Sequence, residues 1–529
     1  MQAIHQIIRS HFFIGMMVVF IVAASSTTGW ANNYTTQQQD TIAEAIIDSF
    51  ITIQAVPEKY STAIRSFYRG NKHQYVWIQS KKIKPHTKDF IAHANKLAEL
   101  WVDSSFIELL TLQNFNQNAQ QTNIELALSL SFFKYADKWL MPTDIDPAIV
   151  NWRIPKKSLT LANQLNNWLN PTTKMGFNTG SQNFKQLLEN YANLSKISAL
   201  DTGIHISAKQ TKINKGDMVP VIRQIKKKLQ LLGDFKSTDT TSLYSNTLGL
   251  AINRFQERMG LAKTNYIDKI VLQALQIPIK QHANTIAINL ERLRWMPAMM
   301  DSNYIVVNIP AYQLLVFDSS KIQFKMPVIV GSESNNTVIF SNRMRYVVFS
   351  PYWNVPPSIV KAEILPGIKK NKNYLAQKNM EITTPGDVPT IRQLPGAQNS
   401  LGLVKFLFPN PYNIYLHDTP GKHLFAKQNR GFSHGCIRLG DARKMANYLL
   451  RADTSWTAIK IDTAMHQQKE KWVTLKKTIP VFMAYFTSWV DANGTLQFRK
   501  DIYDHDAKME RILFRKEDGY KKTTYFYSI

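Results

Sequence analysis

Tyr415-Leu416-His417-Asp418-Thr419-Pro420 and, after a polar connector, Ser433-His434-Gly435-Cys436-Ile437-Arg438 decide how this chain is read. They enclose the only cysteine in 529 residues. A lone thiol in a large protein is either inert packing or a reactive group, and its neighbours decide which. Here they favour reactivity. Gly435 permits a tight backbone path just before the sulfur, and His434 is within local reach. His417 lies nineteen positions upstream of Cys436, at the end of an apolar run that reads as a strand. That spacing suits two adjacent strands joined by a long loop, which brings an imidazole beside the thiol to take its proton.

These residues resemble the active-site signature of the L,D-transpeptidases, in which a His precedes Ser/Thr-His-Gly-Cys by 14 to 17 residues. Fifteen residues separate His417 from Ser433. Many members follow the Cys with a hydrophobic residue and Asn, whereas here Ile437 is followed by Arg438. That departure, with Arg392-Gln393-Leu394-Pro395-Gly396 and Leu416-His417-Asp418-Thr419-Pro420, is similar to the large YcbB-type enzymes of Gram-negative envelopes. The resemblance extends over most of the chain after its first residues.

Length implies two to four domains, and 44% hydrophobic with 11% aromatic residues argues for folded material. Arg9 and His11 precede an apolar run from Phe12 to Ala24, and Gly29 and Ala31 then offer small residues for cleavage. Thirteen apolar residues are short for a bilayer span, so residues 1–31 read as a secretory leader, with an uncleaved anchor as the competing reading. The expected location is the periplasm, with membrane contact only if the leader stays. One cysteine cannot form an internal disulfide, so an exported chain that keeps one needs burial or a use for it. The formal charge is +26, and without the leader it is 63 minus 38, or +25. In the envelope that excess favours wall-peptide carboxylates or anionic lipid head groups; a nucleic-acid partner is not expected.

From Thr41 to about Leu200 the periodicity is mostly helical, and residues 124–133 are apolar too densely for a surface helix. Tyr75 to Ile78 is a short strand-like or buried apolar segment, and the sequence around Ala127 to Ile154, including Asp146-Pro147 and Asn151 to Pro155, is similar to the scaffold region of the YcbB-type enzymes. Residues 32–206 are taken as a scaffold domain. Residues 207–280 hold three short amphipathic helices, with Asp217 and Asp268 as candidate N-caps, and resemble a peptidoglycan-binding module. Pro278 and the polar stretch after it mark a boundary, so residues 281–529 form the catalytic domain and C-terminal segment. Strand periodicity from Tyr304 onward, with short connections, predicts a mainly antiparallel sheet. An insertion over about 358–400, helical and basic in its first part, matches a capping subdomain of the resembled enzymes and suits a lid. Asp441 is expected to cap a helix that anchors the cysteine loop, and Asn493-Gly494 to turn a hairpin. The expected class is multidomain α+β: helical scaffold, three-helix module, and a mainly antiparallel β domain with a helical cap.

The chemistry follows from the motif. Cys436 attacks an acyl carbon, and His417 is the base and then the acid for the departing amine. His417 is preferred to His434 because it holds the family's leading position. His434, two residues from the thiol on its own strand, is less free to lie across from the sulfur. The backbone N–H groups of Gly435 and Cys436, with the Tyr415 hydroxyl, are candidate oxyanion donors. Ser433 and His434 support the loop, and a backbone carbonyl is a better partner for His417 than the Asp418 carboxylate. Arg438, with its planar fork for a carboxylate, and Trp353, in a proline-flanked break, are candidate substrate-binding residues. No cofactor is implied; a metal set of His417, His423, His434 and Cys436 has no supporting spacing. The resemblance implies a peptidoglycan tetrapeptide donor, a diaminopimelate amine acceptor, 3→3 cross-links, inactivation by carbapenems and, as partners, cell-wall synthesis enzymes. Hydrolysis by an L,D-carboxypeptidase and non-catalytic wall binding are the alternatives.

Overall fold

The computed structural model describes residues 41–79, 82–100, 121–155, 160–170, 179, 181–201, 204, 206, 212–297, 301–319 and 321–514. The chain divides into residues 1–40 and residues 41–529. The expected leader lies outside the described residues, as does the tyrosine-rich end from 515.

The dense apolar stretch at 124–133 forms the middle of the helix Gln121–Trp139, which buries Leu126, Leu128, Phe132 and Phe133. The same helix buries a carboxylate. Glu125 accepts backbone N–H bonds from Val76 (2.6 Å), Trp77 (3.0 Å) and Ile78 (3.1 Å), and the Tyr68 hydroxyl at 2.9 Å. Val76, Trp77 and Ile78 are the buried apolar segment the sequence allowed: a side chain satisfies the backbone there, and only Ile78–Gln79 pairs as a strand, with Lys82–Ile83. Burial pushes the Glu125 carboxyl above its usual range, and the donors oppose the shift. Removing the acceptor strands several buried N–H groups at ~1–3 kcal/mol each. Glu125→Ala is therefore expected to cost at least about 3 kcal/mol in urea unfolding.

The helices Val221–Leu231, Asn246–Arg258 and Lys269–Gln276 close around their own cluster of Ile222, Leu229, Leu248, Phe255, Val271 and Leu275. Asp268 caps the third through the Val271 N–H at 2.9 Å. Asp217 does not cap the first. Its carboxylate accepts the Asn214 N–H at 2.7 Å, and Pro220 precedes the helix. The polar stretch after Pro278 starts the helix Ile279–Trp295, packed against Gln182–Ile197. Two of its arginines are buried in ion pairs: Arg294 pairs with Glu291 at 2.8 Å and Arg292 with Asp506 at 2.5 Å.

Among the described residues the part expected to be catalytic holds a ten-stranded sheet. Its strands are β1 (Trp152–Arg153), β2 (Tyr304–Asn308), β3 (Gln313–Asp318), β4 (Lys321–Gly331), β5 (Ile339–Phe349), β6 (Val404–Leu407), β7 (Leu416–His417), β8 (Gly431–Ser433), β9 (Ile437–Leu439) and β10 (Lys471–Ala484). The order runs β6-β7-β9-β4-β3-β2-β10-β5-β1, with β8 beside β4, and β6 also pairs with β5, which closes the path on itself. Closure removes sheet edges and leaves one face for the core. Six pairings are antiparallel, but β1–β5, β7–β9, β8–β4 and β10–β2 are parallel. Trp152–Arg153, expected in the scaffold, extends this sheet. Asp441 caps the helix Ala442–Leu450 through the Lys444 N–H at 2.8 Å. Ser488–Val490 and Leu496–Phe498 form the hairpin around Asn493-Gly494.

The insertion begins earlier than expected and is not only helical. Trp353–Asn354, Thr390–Gln393 and Met380–Thr384 make a three-stranded antiparallel sheet. With short helical turns between 357 and 377, it closes over Val355, Ile359, Val360, Ile364 and Ile391.

Candidate active site

The parallel pairing of β7 with β9 sets Leu416 opposite Ile437 and His417 opposite Arg438. Side chains alternate along a strand, so Leu416, Ile437 and Leu439 point into the core, where each is fully buried. Tyr415, His417, Cys436 and Arg438 then share the other face. The Tyr415 and His417 rings lie 5.7 Å apart, as neighbours two residues apart on one face should.

His417 is buried, 4% exposed, and its Nδ1 lies 2.5 Å from the Asp418 carbonyl. A carbonyl can only accept, so Nδ1 carries the proton and Nε2 is left with its lone pair. Burial, and then the Arg438 charge, hold the ring's pKa down at about 3. The imidazole is therefore neutral at neutral pH, as a general base must be. The Asp418 carboxylate is engaged elsewhere: it accepts the Leu403 N–H at 3.0 Å and pairs with Lys422 at 2.6 Å.

Cys436 is half-buried, and its thiol lies 3.6 Å from the Asn413 carbonyl. Among the described residues no hydrogen bond joins Sγ to His417; the ring sits one residue pair along the face. Burial pushes the thiol's pKa up, while donors on the Tyr415 backbone and hydroxyl, and the Arg438 charge, favour the thiolate. Burial and the adjoining sulfur in turn raise the Tyr415 phenol, which keeps it a donor.

Gly435 has a φ of +109°, a left-handed geometry that glycine adopts without steric cost, and its carbonyl accepts the Thr337 hydroxyl at 2.8 Å. Its N–H, expected to serve an oxyanion, instead donates to Ser433 Oγ at 3.1 Å. That hydroxyl donates in turn to the Cys436 carbonyl at 2.5 Å, so Ser433 braces the loop from within. Among the described residues the Cys436 N–H has no acceptor. It and the Tyr415 hydroxyl remain as the donors able to meet charge on a reacting carbonyl.

Residues 302–463 match the family described as YkuD, the L,D-transpeptidase catalytic domain. This stretch is an L,D-transpeptidase catalytic domain. Residues 62–196 match a second family, described as a scaffold domain. A Haemophilus influenzae protein named "Putative L,D-transpeptidase" is 31% identical over 272 residues, which is 47% of this chain and 55% of the relative. The chain thus spans about half the length of that curated relative. A solved L,D-transpeptidase from Mycobacterium smegmatis is 13% identical, over 35% of this chain and 58% of its own, with a TM-score of 0.19. Another, from Stackebrandtia nassauensis, is 14% identical over 53% and 97%, with a TM-score of 0.23.

The other expected site residues of the transpeptidase domain separate by role. Arg438 lies beside His417 on the open face, and among the described residues its guanidinium has no ion-pair or hydrogen-bond partner. His434 is engaged by the insertion. It is half-exposed, and Nε2 lies 3.2 Å from Glu363 of the insertion. Trp353 packs against the insertion's own cluster. Lys405 was not singled out in the sequence. It stands opposite His417 in β6, so the same face carries a second cation, held between the Tyr352 carbonyl at 3.4 Å and Glu470 at 3.7 Å. Its signal was the strand period itself, since Lys405 alternates with buried Val404 and Phe406. Among the described residues no three metal-ligating side chains converge.

Proposed function

We propose that the protein is a cysteine L,D-transpeptidase that forms 3→3 peptidoglycan cross-links. One observation carries the reading: the single thiol, met by Tyr415, shares a sheet face with a buried neutral imidazole whose proton is fixed on Nδ1. The Cys436 sulfur attacks the carbonyl between the third residue of a tetrapeptide stem and its terminal D-alanine, and His417 takes the thiol proton. The Cys436 N–H and the Tyr415 hydroxyl stabilise the tetrahedral oxyanion. Collapse breaks the C–N bond, the proton passes to the departing D-alanine amine, and a thioester remains. A diaminopimelate side-chain amine on a second stem then attacks, gives its proton back through His417, and expels the thiolate. Water in place of that amine would make an L,D-carboxypeptidase.

With both pKa values displaced as they are, the thiol and imidazole rest as a neutral pair, and the proton moves as the sulfur attacks. The insertion, tied to the cysteine loop through Glu363 and His434, serves as the cap that keeps water out. Residues 1–31 export the chain to the periplasm, and residues 207–280 provide a wall-binding module. Incubating the protein with tetrapeptide muropeptides and resolving products by mass spectrometry tests the whole reading. Cross-linked dimers are expected; tripeptides alone would mean a hydrolase, and unchanged stems would end the proposal.

Arg438, open and beside the sulfur, is suited to a stem carboxylate. A charge-assisted bond of that kind is worth about 1.5–3 kcal/mol. Arg438→Ala should therefore raise KM for the donor about tenfold or more while changing kcat less. A kcat that falls with KM unmoved would reassign the residue to the chemical step.

A further inference from the structure

We propose that Asn399 is a positioning residue that locks both legs of the insertion to the Asp418 carbonyl and so holds the His417 imidazole in line for the thiol. This rests on the acyl-transfer reading above. Asn399 stands where the chain returns from the insertion, and it is 2% exposed. Its amide nitrogen donates to the Pro351 carbonyl at 3.0 Å, on the leg that enters the insertion. It also donates to the Leu394 carbonyl at 2.9 Å, on the leg that leaves. Its amide oxygen accepts the Leu401 N–H at 2.8 Å, and its own carbonyl accepts the Gly402 N–H at 2.8 Å. One side chain therefore fixes both legs and the path of the next three residues.

That path runs against the base. Gly402 has a φ of +64°, and a Cβ there would sit 2.4 Å from the Asp418 carboxylate. The Leu403 N–H donates to that carboxylate at 3.0 Å, and the Asp418 N–H donates to the Val404 carbonyl at 2.9 Å. Asp418 is thus held from its side chain and its backbone by residues 402–404, and its carbonyl is the acceptor for His417 Nδ1. The Leu401 carbonyl also faces the ring. The Asn399 amide nitrogen spends its N–H groups on the Pro351 and Leu394 carbonyls, with the Gln393 carbonyl a further 3.4 Å contact, so a smaller side chain leaves carbonyls unpaired and the exit leg free to shift. Misplacing a catalytic group by about 1 Å costs on the order of a hundredfold in rate.

The test uses the full chain and meropenem, with the Cys436 adduct followed by intact mass. Asn399→Ala should slow acylation about a hundredfold. Gly402→Ala, which presses on Asp418 without touching the amide, should slow it comparably. In a His417→Ala background the Asn399→Ala change should cost no more than about twofold, because the base it positions is gone. Imidazole nitrogen shifts should show His417 protonated on Nδ1 in the wild type and a mixture of tautomers in Asn399→Ala. Acylation of Asn399→Ala at the wild-type rate, or a full loss that persists without His417, would overturn the proposal. So would a wild-type ring protonated on Nε2, which needs no variant to fold. A wild-type protein that takes no adduct would instead remove the acyl-transfer reading itself.

Discussion

Cys436→Ala is expected to abolish cross-linking and carbapenem capture, a loss of at least ~10⁴-fold, with only a small change in the melting transition. Both halves of that expectation come from the site. The sulfur is the chain's only thiol, and Ser433 spends its hydroxyl on the Gly435 N–H and the Cys436 carbonyl, so no neighbouring nucleophile is free to replace it. The loop is held by those backbone contacts and by Thr337 on the Gly435 carbonyl, none of which involves the sulfur. Removing Sγ forfeits a contact of 3.6 Å to the Asn413 carbonyl and the acceptor of the Tyr415 donors, but the backbone contacts that hold the loop remain, so the domain keeps its shape. The measurement is the muropeptide assay beside a thermal melt of the same preparation. Dimers formed at the wild-type rate would place the nucleophile elsewhere; a collapsed melt would show that the thiol is packing.

Much of this site was legible because it is written in a two-residue period. Tyr415, His417, Cys436 and Arg438 alternate with Leu416, Ile437 and Leu439, and a sheet with one buried face can sort them in only one way. The strand direction was not legible. Short connections elsewhere suggested antiparallel neighbours, but the long passage from Asp418 to Phe432 lets β9 return beside β7 in the same direction. The helix after Pro278 was not legible for a related reason: Arg292 and Arg294 are buried only because Asp506, 214 positions from Arg292, and Glu291 neutralise them inside. The insertion's sheet was hidden because Met380–Thr384 is short, polar and mostly exposed, so nothing in its pattern marks a buried face. Asn399 was hidden by distance: its partners Pro351 and Leu394 meet only when the two legs are brought together.

His417→Ala is expected to slow acylation by about 10²- to 10⁴-fold, the contribution of a positioned general base. Its pH behaviour separates this site from an ordinary thiolate–imidazolium pair. A ring near its usual pKa of ~6.5 would protonate as the pH falls through 6.5 and switch the base off there. With the folded pKa near 3, the base stays available through pH 4, and a plot of acylation rate should show no break at 6.5. The thiol is displaced the other way, so direct alkylation by iodoacetamide should keep rising beyond pH 9, in the variant as in the wild type. Stability gives an independent check of the same displacement. A histidine whose folded pKa lies below its unfolded value binds fewer protons when folded, so its contribution is complete above about pH 6.5 and is lost as the pH falls from there towards 3. For a fully buried ring that loss is on the order of a few kcal/mol. His417→Ala should remove this part, so between pH 7 and pH 4 the variant should lose less unfolding free energy in urea than the wild type does. Equal losses in the two proteins, or a rate that breaks at 6.5, would mean that the imidazole is open to protons and that the neutral resting pair is wrong.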